Sequence, residues 1–213
     1  ERILQITGPA GALTCVHAED DATLRKARNT LIKNNQTLPK HHALARPEVA
    51  EQKAVAKICA MAAQTNAPVM IFHVSCAIAA AEVLKAHQNG APVFAETCPH
   101  YLFMTADILN KPGIEGAKWM CSPPQRNRKD QEALWTALGW GDLEVISSDH
   151  APYRYDDTGK LSAGPTARFD QIANGMPGLE VRLPLMFDAM VSQGRMSASD
   201  FVRLTSTAPA QLY

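Results

Sequence analysis

The chain has 213 residues, of which 46% are hydrophobic and 20% charged, a composition that predicts a folded chain and not a disordered one. Lys plus Arg and Asp plus Glu number 21 each, so nothing favours nucleic acid or an anionic membrane as the main partner. No stretch reaches about 18 apolar residues, so no membrane span is predicted. The five cysteines form no CxxC pair, and their odd number favours reduced thiols in a cytoplasmic protein.

Four short apolar runs alternate with helical patterns along the chain. The predicted strands are 12–16, 69–73, 92–97 and 144–148, and the main predicted helices are 20–35, 47–66, 77–90, 128–139, 179–192 and one that begins at Ser197. Each strand is apolar throughout, as strands buried on both faces are. This order predicts a parallel α/β fold, either a barrel or an open sheet.

A segment rich in Gly, Pro and Asp follows the fourth strand, at about 151–178. A loop of this length inside a compact domain is usually functional or mobile. The chain contains neither GxGxxG nor GxxxxGK[ST], so nucleotide binding has no support from a motif.

Three of the predicted strands end in a residue that can bind a metal ion. His17 follows the first strand, His73 the second and Asp149 the fourth. The carboxyl ends of parallel strands lie at one mouth of the fold, so these side chains can converge. A lone His or Asp at a strand end is more often a hydrogen-bonded or turn residue. Two imidazoles and a carboxylate on three separate strands favour zinc or a similar divalent ion.

The segments around these residues resemble the cyclic amidohydrolases, in order along nearly the whole chain. The matching segments are HAE at 17–19, HVS at 73–75, ETCPHYL at 96–102, SPP at 122–124 and SSDHAP at 147–152. The stretches NGMPGLEVRLP at 174–184, LTST at 204–207 and PA at 209–210 are similar to the dihydropyrimidinase/hydantoinase branch in particular. Each motif alone is weak, whereas the ordered set is highly specific.

The resemblance implies a partial (β/α)8 TIM barrel, in which residues 12–149 supply strands five to eight. Residues 1–213 would then be the C-terminal part of the catalytic barrel, without the N-terminal half that carries a His-x-His pair and a bridging Lys. The family holds two Zn2+ ions per complete site, bridged by a carboxylated Lys that is outside this chain. His17 and His73 match the ligands of one ion, and Asp149 matches a ligand of the other. Family members are commonly homotetramers.

The resemblance also implies a reaction of pyrimidine catabolism, the hydrolysis of a 5,6-dihydropyrimidine or a 5-substituted hydantoin to an N-carbamoyl amino acid. In the family, a metal-bound hydroxide attacks the ring carbonyl of this small-molecule cyclic amide. Asp149 would move the proton to the leaving ring nitrogen. Ser122 and Asn174 match positions that hold the imide groups of the ring, largely through backbone atoms. Without the resemblance both would be interpreted as turn residues.

Two other functions remain open from the sequence. One is a different cyclic amidase, of the allantoinase or dihydroorotase type, against which the 174–182 segment argues. The other is a non-catalytic assembly protein of the kind that has lost its metal ligands, against which His17, His73 and Asp149 argue. We expect the isolated 213 residues to aggregate or to need the missing half, because half a barrel exposes two strand edges.

Five other histidines receive weaker predictions. His100 and His150 lie near the predicted mouth and could support the ligands from behind. His41, His42 and His87 are predicted to be solvated, because they lie in loop or helix positions.

Overall fold

The four predicted strands form one parallel sheet in chain order. They are β1 (Thr14–Val16), β2 (Val69–Ile71), β3 (Val93–Thr97) and β4 (Val145–Ile146). In the computed structural model, which describes all 213 residues, β1 pairs with β2, β2 with β3 and β3 with β4. An order without reversal means that every crossover runs in the same direction, as in a barrel and not in a doubly wound sheet. The prediction of a partial barrel is confirmed over the open sheet.

Ten α-helices accompany the sheet. They are α1 (Arg2–Thr7), α2 (Asp21–Lys33), α3 (His42–Ala45), α4 (Glu48–Thr65), α5 (Ala77–Gln88), α6 (Pro99–Phe103), α7 (Arg128–Trp140), α8 (Leu179–Phe187), α9 (Ala198–Val202) and α10 (Ala208–Leu212). Short 3₁₀ segments are Pro39–His41, Ala106–Leu109, Glu115–Trp119 and Phe169–Gln171, and π-helical segments are Asp188–Ser192 and Arg203–Thr207. None of the helices combines the length and apolar character needed to cross a membrane.

The long helices pack side by side as an outer layer. Helix α4 contacts α5, and α5 contacts α7, in the same order as the strands they connect. The β2 residues Val69, Met70 and Ile71 are almost completely buried, which explains why this strand has no polar face. The helix layer therefore covers one face of the sheet and leaves the carboxyl ends of the strands at a common edge.

The segment 151–178 is anchored to this edge rather than loose. Phe169 and Ile172 are buried in a second, smaller apolar cluster with Leu109 and Met120. The buried ammonium of Lys160 donates hydrogen bonds to two backbone carbonyls, those of Met120 (3.0 Å) and Ala173 (2.9 Å). The segment thus has a packed core of its own beside the end of β4.

A buried ion pair fixes the exit of β2 against the helix layer. Glu51 Oε2 on α4 lies 3.1 Å from Arg126 Nη2, and the two side chains are only 2% and 4% exposed. Glu51 Oε1 accepts the backbone N–H of Ser75 at 2.7 Å, and Arg126 Nε donates to the Ser75 hydroxyl at 3.0 Å. Ser75 follows His73 by two positions, so the pair holds the chain just beyond that histidine.

Removing one partner of this pair should be costly, because the other charge would remain buried and unpaired. We expect Glu51→Gln in the complete protein to lower the free energy of unfolding by about 3–5 kcal/mol, measured by urea denaturation. Glu132→Gln is the matched control, since Glu132 lies 3.3 Å from Arg195 but is 70% exposed. That control should change the free energy by less than about 0.5 kcal/mol. Equal losses in the two variants would contradict a special role for the buried pair.

Gly175 lies where the segment 151–178 crosses the end of β4. Its φ is +151°, and an added Cβ would lie 2.4 Å from the Ala151 carbonyl oxygen. We expect Gly175→Ala to lower the free energy of unfolding by about 1–3 kcal/mol. Gly139→Ala in α7, where the new methyl group meets only the flexible Met196 side chain at 3.6 Å, should raise it by about 0.5–1 kcal/mol. A stabilising effect of Gly175→Ala in the same urea assay would be inconsistent with this geometry.

Candidate metal and substrate site

Two of the predicted ligands have an unusual backbone conformation. His73 and Asp149 have φ values of +43° and +42°, in the left-handed region. The other non-glycine residues with positive φ are Asn35 and Asn66, a residue type that tolerates this conformation. Left-handed backbone is concentrated at functional sites, where the surrounding fold holds it in place. His73 falls inside the predicted strand 69–73, so this conformation also explains why β2 does not extend to that residue.

The imidazoles of His17 and His73 face one another across the ends of β1 and β2. His17 Nδ1 lies 2.9 Å from His73 Nε2, and the rings meet edge to face with centroids 4.7 Å apart. Two nitrogens that share a tetrahedral zinc ion at 2.0–2.1 Å lie about 3.3 Å apart. A small opening of this contact would therefore let both nitrogens bind the same ion, so the pair fits half of a metal centre.

The other nitrogen of His17 is held by a buried carboxylate. His17 Nε2 donates to Glu19 Oε2 at 2.9 Å, Arg46 donates to both oxygens of Glu19, and the Ser122 hydroxyl donates to Oε2 at 3.1 Å. Burial acts to raise the pKa of Glu19, but the hydrogen bonds from His17 and Arg46 outweigh it and lower the pKa to about 2. Glu19 is therefore an acceptor only, which places the His17 proton on Nε2 and leaves the Nδ1 lone pair towards His73.

His73 is also suited to bind a cation. It is buried, and Nε2, the nitrogen that would bind the ion, faces His17, whereas Nδ1 has no hydrogen-bond partner. Burial, with a smaller contribution from the charge of His17, lowers the pKa of His73 to about 4. The imidazole is neutral near pH 7, and the neutral form is the one that binds metal ions.

Asp149 lies at the same mouth as a half-buried carboxylate without a hydrogen-bonded partner in the protein. Burial raises the pKa of its carboxyl group, and the charge of His17 opposes that shift without cancelling it. No cluster of three or more His, Cys, Asp or Glu side chains is arranged to hold a metal ion. The structure brings the imidazoles of His17 and His73 into contact. The inclusion of Asp149 as a third metal ligand stays a prediction.

The two predicted substrate-binding residues differ in their surroundings. The Ser122 hydroxyl donates to Glu19, so its hydrogen is already used in the protein. Asn174 borders a cavity of about 330 Å³ together with Arg46 and His42, and its Oδ1 is buried without a partner. Ser122 is thus connected to His17 through Glu19, and Asn174 shares a cavity with Arg46, while the contact of either residue with a substrate stays a prediction.

The remaining histidines divide into supporting and structural roles. His150 Nδ1 accepts the backbone N–H groups of Gly178 (3.1 Å) and Leu179 (3.2 Å), so it caps the start of α8. His100 is buried against Tyr101, and burial lowers its pKa to about 3, helped by the charge of His73. The prediction that His42 is solvated is wrong: it is 2% exposed, and its Nε2 lies 2.8 Å from the Cys121 carbonyl oxygen. Helix α3 turns this side chain inward, which its polar sequence context did not indicate.

Three charged residues of the site have no role in the sequence-based predictions. Glu19 is part of the HAE motif and follows His17 by two positions, a spacing that could have suggested a supporting carboxylate. Arg46 and Arg126 lie 29 and 109 positions after His17 in the chain, and no local pattern marks them. Only the fold brings them to Glu19 and Glu51.

Comparison with models of known protein families gives no match. Individual relatives do match along the chain. The D-hydantoinase of Rhizobium radiobacter is 39% identical over 212 residues, covering 100% of this chain and 46% of that protein. The D-hydantoinase of Ralstonia pickettii is 39% identical over 203 residues, covering 95% of this chain and 44% of that protein.

Solved structures of enzymes with related names match the fold of this chain. The crystal structure of dihydropyrimidinase from Brevibacillus agri matches with a TM-score of 0.94 and 37% identity, covering 99% of this chain and 45% of that one. The chain spans just under half the length of the curated relatives and solved structures that it matches. With this sequence identity and this agreement in fold, the chain is a homologue of the D-hydantoinases and dihydropyrimidinases over the part of those proteins that it spans.

Proposed function

We propose that this chain forms one side of the active site of a zinc-dependent hydrolase of cyclic amides. The substrate is a 5-substituted hydantoin or a 5,6-dihydropyrimidine, and the product is an N-carbamoyl amino acid. The observation that carries the proposal is the pair of imidazoles, His17 and His73, which face one another at the carboxyl ends of adjacent parallel strands. The names of the relatives favour this substrate class over allantoin or dihydroorotate.

In this proposal, His17 and His73 hold one zinc ion and Asp149 contributes to the second. Bound zinc would acidify water and polarise the ring carbonyl. Asp149 moves a proton to the leaving ring nitrogen, a role that suits a half-buried carboxylate with no donor fixed to it. Ser122 and Asn174 orient the imide groups of the ring through their backbone atoms.

The other ligands would come from outside residues 1–213. We place this chain as the C-terminal part of the catalytic barrel, with a His-x-His pair and a carboxylated Lys supplied by the rest of the protein. The consecutive strand order and the match to just under half of each relative support this placement. The complete enzyme is proposed to be a homotetramer that acts in pyrimidine catabolism. A cytoplasmic location is proposed as well, in keeping with five unpaired cysteines.

Loss of one histidine should separate metal binding from folding. In the complete protein, His73→Ala is expected to lose about one zinc ion per subunit and nearly all hydrolysis of hydantoin, because His17 is then the only one of the two imidazole ligands that remains. Zinc content by elemental analysis and ring opening by absorbance measure the two effects. The control is His87→Ala: His87 Nε2 lies 2.8 Å from the Val93 carbonyl oxygen, at the amino end of β3. Full zinc content in His73→Ala would reject the assigned ligand.

Loss of the Asp149 carboxylate should lower the rate of the chemical step. We expect Asp149→Asn to lower kcat by about 10²–10⁴-fold, the usual contribution of a general acid–base group. Asp157→Asn, which changes an exposed acid of the segment 151–178, should leave kcat unchanged. Steady-state kinetics on hydantoin and dihydrouracil give both values.

The same assays test the alternatives. A wild-type protein that hydrolyses allantoin or dihydroorotate, but neither hydantoin nor dihydrouracil, would belong to another cyclic amidase class. A folded wild-type protein without zinc and without turnover would favour a non-catalytic assembly protein.

A further inference from the structure

We propose that Glu19 is a positioning residue that fixes the tautomer and orientation of His17, and that Arg46 holds Glu19 in place for this task. The inference rests on the proposed function, because it treats His17 as a metal ligand. Glu19 is not one of the predicted metal ligands, and its role is inferred from the side chains that it contacts. Glu19 itself would touch neither the metal ion nor the substrate.

The contacts of Glu19 are numerous and buried. Its side chain is 1% exposed, and three side chains donate to it: His17 through Nε2, Arg46 through Nε and Nη2, and Ser122 through its hydroxyl. Donors on both carboxylate oxygens prevent the group from rotating away from His17. A carboxylate held in this way presents a fixed acceptor to the imidazole.

His17 needs such an acceptor because it is less constrained than its neighbour. Its side chain is 45% exposed, whereas His73 is 6% exposed. A neutral imidazole carries one proton, and the nitrogen that binds a metal ion must be the other one. By accepting the hydrogen bond from Nε2–H, Glu19 leaves the lone pair of Nδ1 directed at His73 Nε2, 2.9 Å away. Without Glu19, water could stabilise the opposite tautomer or a rotated ring.

The support continues to the second histidine. Arg126 Nη1 donates to the backbone carbonyl of Arg46, and Arg126 also pairs with Glu51, which holds Ser75. Two carboxylate–guanidinium pairs are thus joined through one backbone group. This chain of contacts links the exit of β1 to the exit of β2, so the spacing of the two imidazoles is fixed from behind.

The test compares zinc affinity in Glu19 variants of the complete protein, by competition with a chelator of known affinity. Glu19→Gln keeps the shape of the side chain but loses the charge, and its amide group can no longer accept on both oxygens. We expect the zinc Kd to rise about 10–100-fold, as is typical for loss of a group that orients a metal ligand. Glu19→Asp, which keeps the charge, should recover part of this loss. Glu115→Gln, an exposed acid paired with Lys118, is the matched control.

A purely structural role would give a different pattern. In that case Glu19→Gln would lower the urea midpoint while the folded fraction bound zinc with the wild-type Kd, and the inference would be overturned. At saturating zinc, the positioning role predicts a lower kcat with KM nearly unchanged, because Glu19 does not contact the substrate. A KM effect alone would also overturn it.

Two further outcomes separate this inference from the proposed function. A wild-type protein that binds no zinc would reject the proposed function, and the inference with it. A wild-type protein that binds zinc and hydrolyses hydantoin, beside a Glu19→Gln variant with the same Kd, would reject only the inference. If Glu19→Gln does not fold, Arg46→Lys is the second variant to test. Lysine cannot donate to both oxygens of Glu19 as Arg46 does, so the zinc Kd should rise about 3–10-fold. An unchanged Kd would reject the inference.

Discussion

The hydrogen bond from His17 Nε2 to Glu19 Oε2 is the contact on which the candidate site depends. It decides which nitrogen of His17 is free, and therefore whether the two imidazoles can bind the same ion. The bond is possible only because Arg46 neutralises a carboxylate that is almost fully buried. A buried carboxylate without such a partner would take up a proton and lose its value as an acceptor.

The general arrangement could be predicted from the sequence because its signals are local. Runs such as 69–71 are apolar on both faces, and Pro or Gly marks the limits of the neighbouring helices. The residues that follow each strand are then placed at one edge by the parallel order alone. This reasoning found His17 and His73, which lie in contact although 56 positions separate them in the chain.

The details that failed depend on contacts between distant parts of the chain. Strand β2 does not reach His73 as predicted, because that residue adopts a left-handed backbone conformation, and hydrophobic periodicity does not report a single φ angle. The burial of His42 follows from the packing of α3 against the segment around Cys121, 79 positions away. Glu51 and Arg126 form their ion pair across 75 positions of the chain, and each is a residue type that usually lies at the protein surface.

The burial of both carboxylates, Glu19 and Glu51, and of the Arg126 guanidinium has a consequence for the response of the site to salt. Mobile ions screen attractions between exposed charges over a length of about 10 Å at 0.1 M salt, so the surface pair of Arg195 and Glu132 should weaken as the salt concentration rises. These ions cannot approach Glu51 and Arg126, whose side chains are 2% and 4% exposed, nor Glu19, at 1%. The framework behind the two imidazoles is therefore insulated from ionic strength, while the charges on the outer helices are not.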